Sequence, residues 1–96
     1  MIDTLNIETS TKDRKQAIGY AQDLVRLSPK RPSAHASVGW VYFRSWMVSK
    51  TQYDANKAIT GYRKYLQLAP KKDNFRKQAE RIIKEIQQGQ TRQKKN

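Results

Sequence analysis

The sequence predicts an all-α domain built from antiparallel helix-turn-helix repeats, and three observations carry this prediction. Apolar residues recur at helical spacing along most of the chain. Pro29 and Pro70 each end such a stretch, because the residue before a proline is biased away from the helical conformation. Ala17 and Ala58 each lie twelve residues before one of these prolines, so the pattern is an internal repeat.

Length and composition limit the protein class. The chain has 96 residues, enough for one domain, and a net charge of +12. Such a charge attracts acidic peptides or polyanions, or it only keeps a small domain soluble. Cysteine is absent, which fits a reducing compartment, and no apolar run approaches the ~18 residues of a membrane span. We therefore expect a cytoplasmic protein without a membrane span.

The first helix is predicted to begin at Ser10, where a hydroxyl cap is followed three residues later by Asp13. Residues 1–10 are predicted to be a poorly ordered lead-in, because Thr and Asn among their apolar residues disfavour helix. The apolar stripe that follows has helical spacing: Ala17, Ile18, Ala21, Leu24 and Val25.

The second helix opens at Pro32, where a missing N–H costs nothing, and is predicted to run to about Val48. It carries two apolar stripes. The first contains Ala34, Val38, Val41, Tyr42 and Val48. The second contains Ala36, Trp40, Phe43 and Met47. A helix that is apolar nearly all round must be covered on two sides, so this is the predicted central helix.

Residues 49–52 indicate a tight turn with a capping box before the third helix. Its predicted inward residues are Tyr53, Ala58, Ile59, Tyr62, Tyr65 and Leu66. Gly61 lies inside this helix at a propensity cost of ~1 kcal/mol, and we interpret it as allowing a neighbouring helix to approach closely.

Asp73 is predicted to cap a fourth helix with a single apolar stripe: Phe75, Ala79, Ile82, Ile83 and Ile86. One-sided amphipathicity is typical of a terminal capping helix, because its outer face meets water. Gly89 is the predicted helix end, and residues 89–96 form a predicted basic, disordered tail.

These residues resemble the tetratricopeptide repeat family, in which antiparallel helix pairs stack into an array. The motif residues are His35, Val38, Gly39 and Tyr42, then Ala58, Tyr62 and Pro70. The resemblance covers residues 11–88 and implies one whole unit, the second helix of a preceding unit and a C-terminal cap. The two prolines are 41 residues apart, against a family period of about 34. We therefore predict an elongated central hairpin. The alternative is an unrelated four-helix bundle.

By this resemblance, the first helix of each unit lines a ligand groove. The implied groove residues are Ser33, Ala36, Trp40, Phe43, Asn74, Lys77, Arg81 and Lys84. Such a wall of aromatic and basic residues suits a peptide or partner helix with an apolar anchor and acidic neighbours. In the alternative interpretation, Trp40 and Phe43 are simply covered by the fourth helix.

Catalysis has little support, because the chain has one histidine, no cysteine and eight scattered carboxylates. We expect no enzyme, no metal and no cofactor, but a non-catalytic protein-interaction module. A second hypothesis is electrostatic binding of nucleic acid by Lys71, Lys72, Arg76, Lys77, Arg81 and Lys84 with Arg92, Lys94 and Lys95 of the tail. A third is a structural cap of a larger repeat array.

Overall fold

The computed structural model describes the backbone of residues 2–95 and the side chains of residues 12–91. Across residues 2–95 the regular structure consists of four α-helices and no strand, which confirms the all-α prediction. They are α1 (Ile2–Leu27), α2 (Pro32–Ser49), α3 (Gln52–Leu68) and α4 (Phe75–Lys95). Each helix packs against the next in chain order. None of these helices, within the described range, has the length and apolar character needed to cross a membrane.

Two predicted helix ends are wrong. Helix α1 begins at Ile2 rather than at Ser10, because Thr and Asn lower helix stability by only a few tenths of a kcal/mol each. Helix α4 passes through Gly89 and continues to Lys95. The division into a lead-in, a domain and a tail stays a prediction, and the side chains of residues 1–11 and 92–96 lie outside the described residues.

Gly89 serves packing rather than helix termination. A Cβ atom at this position would lie 2.5 Å from Cζ2 of Trp46, so only glycine lets α4 cross the indole ring this closely. Next to it, Gln90 donates hydrogen bonds to the side-chain oxygens of Gln52 (2.8 Å) and Asn56 (3.0 Å). These contacts hold the second half of α4 against the start of α3 and the end of α2.

Helices α2 and α3 form an antiparallel hairpin whose backbones approach each other closely at two glycines. A Cβ atom at Gly61 would lie 2.7 Å from the backbone nitrogen of Gly39. A Cβ atom at Gly39 would lie 2.8 Å from the ring of Tyr62, whose side chain is fully buried. The close approach expected at Gly61 is therefore present, and its partner is Gly39.

A polar cluster joins three helices at the turn between α2 and α3. The buried Asp54 carboxylate accepts hydrogen bonds from the hydroxyls of Ser45 (2.7 Å) and Ser49 (2.6 Å). Arg14 of α1 donates to the Ser45 hydroxyl (3.2 Å) and carbonyl (3.3 Å). Thr51 caps α3 by accepting from the Asp54 backbone N–H at 3.2 Å. The carboxylate thus accepts from two hydroxyl donors, which offset the cost of burying its charge.

The core confirms some predicted stripes and corrects others. The stripe of α4 is inward as predicted, with Ile82, Ile83 and Ile86 buried. The stripes of α2 are partly wrong: Met47 and Val48 are exposed, and so is Tyr53 of α3, whereas the unassigned Trp46 is buried. Because α2 is apolar nearly all round, its pattern does not indicate which residues face the core.

Candidate functional site

The candidate site is a groove of about 760 Å³ whose floor is α2 and whose walls are α1 and the start of α4. Nine of its lining residues are apolar or aromatic and four are polar. The lining residues are Ala17, Tyr20, Ala21, Leu24, Ser33, Ala36, Ser37, Trp40, Val41, Tyr65, Asp73, Phe75 and Gln78. A volume of this size lies within the usual range of ligand pockets in proteins.

The groove exposes two helix surfaces of the kind that normally pack against another helix. The α1 wall consists of residues 17, 20, 21 and 24, and the α2 floor consists of residues 33, 36, 37, 40 and 41. Both follow the i, i+3, i+4, i+7 spacing of a helix face. On the floor Ser33, Ala36 and Ser37 are small, so another main chain can come close.

Trp40 forms one end of the groove, and its side chain is 42% exposed. Its ring lies 6.0 Å from the ring of Phe43, which in turn stacks at 6.3 Å on the buried Trp46. The guanidinium of Arg44 lies 5.8 Å from the centre of the Trp40 ring. Trp40 is therefore supported from the core through Phe43 and has a positive charge beside it.

The other end of the groove contains Tyr65, Asp73 and Phe75. Asp73 caps α4 by accepting from the Phe75 backbone N–H at 3.1 Å. Burial, and then the nearby Asp73 carboxylate, raise the pKa of Tyr65 to about 12, so its hydroxyl keeps its proton at neutral pH. Among the described residues lining the groove, Asp73 alone is charged. The groove lining thus carries a single negative charge, and that charge lies at this end.

The structure brings together three of the eight residues predicted for the groove: Ser33, Ala36 and Trp40. Phe43 is buried behind Trp40, because it lies three residues further along α2 and faces Trp46. Asn74, just before α4, and Lys77 and Arg81 of α4 are exposed but do not line the groove. Lys84 borders shallow depressions with Gln87 instead.

The α1 wall was not predicted from the sequence. The predicted core stripe of α1 includes Leu24, yet this residue is 47% exposed, and Tyr20 is 73% exposed. The available signal was the helical spacing of Ala17, Tyr20 and Leu24, which places an aromatic and an aliphatic residue beside an alanine on one face. That spacing does not reveal whether the face is covered.

One residue of the proposed phosphate-binding stripe, Arg76, forms hydrogen bonds within the fold. Arg76 is half-buried and donates hydrogen bonds to the carbonyls of Leu66 (2.8 Å) and Ala69 (3.0 Å), at the end of α3. The tail residues Arg92, Lys94 and Lys95 have side chains outside the described residues. Among residues 12–91, no three potential metal ligands come together.

Comparisons with protein families, with curated proteins and with solved structures find no match to this chain. The resemblance to tetratricopeptide repeats therefore stays a prediction that rests on the spacing of motif residues in the sequence.

Proposed function

We propose that the chain is a non-catalytic protein-interaction module whose groove binds a partner segment with an apolar anchor and acidic residues. The observation that carries this proposal is the groove itself, in which Tyr20, Leu24 and Trp40 remain 73%, 47% and 42% exposed next to one another. A contiguous exposed apolar surface of this kind lowers solubility, and it commonly marks a binding surface. An apolar anchor of the partner is the group that would cover it.

Charge favours an acidic partner. The chain carries a net charge of +12, so its field draws negatively charged segments towards it and repels a second copy of itself. Arg44 places a guanidinium at the Trp40 end of the groove. Tryptophan and arginine are among the residues that most often contribute binding energy at interfaces, and here they lie in contact.

Nucleic acid is the less favoured partner. Single strands bind to aromatic side chains that can stack on bases within a basic groove. The aromatic residue of α4, Phe75, instead packs against Tyr65 at 5.3 Å and Tyr62 at 6.1 Å. Arg76 is engaged by the carbonyls at the end of α3. The other lysines and arginines among the described side chains of α4 are exposed to solvent and could contact phosphate groups, but they have no free aromatic residue of α4 beside them for base stacking.

The tetratricopeptide-like arrangement belongs to the same proposal. The antiparallel pair α2 and α3 is the repeat unit, α1 is the second helix of a preceding unit, and α4 is the cap. Helices of 18 and 17 residues suit an elongated hairpin. A role as the structural cap of a larger array, in the cytoplasm, is compatible with this arrangement.

Binding of a designed peptide tests the proposed function. The probe is an amphipathic peptide of about 15 residues, the length at which isolated helices become marginally stable. It carries leucines on one face and glutamates in its C-terminal half. We expect Leu24→Glu to weaken binding about tenfold or more, because burying a leucine contributes ~1.5–3 kcal/mol.

Met47→Glu is the matched control. Met47 is a helical residue of similar exposure, 54% against 47% for Leu24, and it does not line the groove. Both variants have the same charge change, so a purely electrostatic interaction weakens equally in the two. Equal weakening in titrations of the labelled peptide, or no binding to the wild-type chain, would show that the groove is not the binding site.

A further inference from the structure

We infer that the groove accepts an α-helix in one direction, antiparallel to α1, with its N-terminus at Asp73 and its acidic residues at Arg44 and Arg81. The inference rests on the proposed function and adds the conformation and polarity of the bound segment. Three observations support it: the chemistry of the groove lining, the small residues of its floor and the unequal charges of its two ends.

The lining favours a helix over an extended strand. An extended segment leaves its backbone N–H and C=O groups unpaired unless the groove supplies partners, and each buried unpaired group costs free energy. Four polar residues line the groove, and the helices around it use their own backbone groups internally. A helix brings its backbone groups already hydrogen-bonded to one another.

The floor and the walls of the groove have the dimensions needed to accommodate an α-helix. The floor runs from Ser33 to Val41, which is about 12 Å at the rise of an α-helix, so two turns of a bound helix fill it. Small residues lie along this floor, whereas Tyr20, Leu24 and Phe75 rise on the two sides. Ridges of a bound helix therefore fit between the side chains of α1 and those of α4.

The order of charges along the groove is fixed by how the helices run. Contacts of Phe75 with Tyr65, and of Gly89 with Trp46, show that α4 runs in the same direction as α2. Asp73 therefore lies at the Ser33 end. Arg81 lies six residues beyond Phe75, about 9 Å further along the axis, which brings it close to the level of Trp40. Arg44 lies four residues, about 6 Å, beyond Trp40 in the same direction.

This charge order selects a direction. Asp73 attracts the positive N-terminal end of a helix, and Arg44 and Arg81 attract its negative C-terminal end and any carboxylates there. Within residues 12–91, neither arginine forms an ion pair with a carboxylate of this chain. A helix inserted the other way round would place like charges at both ends.

Paramagnetic labelling tests the direction. The probe is the designed peptide described above, prepared with a nitroxide at its N-terminus or at its C-terminus. We expect the N-terminal label to remove amide NMR signals around residues 73–76, and the C-terminal label to remove those around residues 40–44. The reverse pattern, or equal loss at both ends from each label, overturns the inferred direction while leaving the groove as the binding site.

A peptide with a central proline tests whether the bound segment is helical. The same peptide with a central proline cannot form a continuous helix, and we expect it to lose binding. If it binds as well as the parent peptide, the helical conformation is wrong.

Charge reversal tests the two arginines. The double variant Arg44→Glu/Arg81→Glu should weaken binding more than the control double variant Arg63→Glu/Lys84→Glu, which changes the total charge by the same amount at other positions. If the wild-type chain binds neither peptide, the proposed function fails as well.

Discussion

Helix α2 has two faces built from similar residues but with opposite surroundings. On the face towards α3, Gly39 meets Gly61 and Tyr62 with no space for a Cβ atom. On the face towards the groove, Ser33 and Ala36 are equally suited to close approach, yet no helix of the described chain lies over them. One face of α2 therefore packs against a helix, whereas the other could accommodate a helix but has none of the described helices packed on it.

This difference indicates which parts of α2 belong to folding and which to binding. The buried face supplies the tightly packed interior on which a small domain depends, because a chain of this length buries a modest fraction of its surface. The open face keeps aromatic and aliphatic side chains in water at a free-energy cost. Substitutions that distinguish the two faces therefore test the interpretation.

The largest expected difference is between the two tryptophans. Trp46 is buried at 7% exposure, and Trp46→Ala should lower the free energy of unfolding by ~3–5 kcal/mol, as for other large core truncations. Trp40→Ala should cost about 1–2 kcal/mol, because nearly half of the side chain is already in water. Urea unfolding followed by far-UV circular dichroism measures both values.

Peptide binding supplies the second readout for this pair. Trp40→Ala should weaken binding of the designed peptide while leaving a cooperative unfolding transition. If Trp40→Ala destabilises the domain as strongly as Trp46→Ala, then Trp40 is a core residue and the open face of α2 is misassigned.

The next effect in size concerns two glycines that should respond with opposite signs. Gly61→Ala places a methyl group against the backbone of Gly39, which cannot move without displacing α2, and should cost ~1–3 kcal/mol. At Gly19 in α1, a Cβ atom would have no described neighbour within 4 Å, so Gly19→Ala should stabilise the domain by up to ~1 kcal/mol through helix propensity. Thermal melts of both variants provide the comparison. A Gly61→Ala variant that is as stable as the parent would contradict the tight crossing of α2 and α3, and a destabilised Gly19→Ala variant would contradict the open surroundings of Gly19.

The same contrast explains what could be predicted from the sequence. Helix α4 has one apolar stripe and many charged residues, so its inward face, including Ile82 and Ile86, was predicted correctly. Helix α2 has apolar residues nearly all round, so the pattern did not separate the buried Trp46 from the exposed Met47. Periodicity locates a core face when the opposite face is polar.

The groove was only partly predictable for a different reason. Ser33, Ala36 and Trp40 were placed there through the resemblance to a known repeat, whereas the α1 wall with Tyr20 and Leu24 was missed. Contacts between distant parts of the chain, such as Arg14 with Ser45, also have no local signature. Such features depend on how helices are placed relative to one another, which the spacing within one helix does not determine.

The smallest expected effect, about 1 kcal/mol, distinguishes two buried tyrosines. The hydroxyl of Tyr42 accepts a hydrogen bond from Gln22 at 3.0 Å, so Tyr42→Phe should cost ~0.5–1.5 kcal/mol. The buried hydroxyl of Tyr62 has no hydrogen-bond partner among the described residues, and Tyr62→Phe should be neutral or stabilising.

A pH titration adds a second readout for Tyr62, because burial raises the pKa of its hydroxyl above the ordinary value of 10.0. A raised pKa in the folded state means that stability is full below pH ~10 and falls as the pH rises above it, since the unfolded chain loses this proton first. Tyr62→Phe should reduce that loss in urea unfolding above pH ~10. An unchanged pH profile would indicate that the Tyr62 hydroxyl reaches water and is not buried in the core.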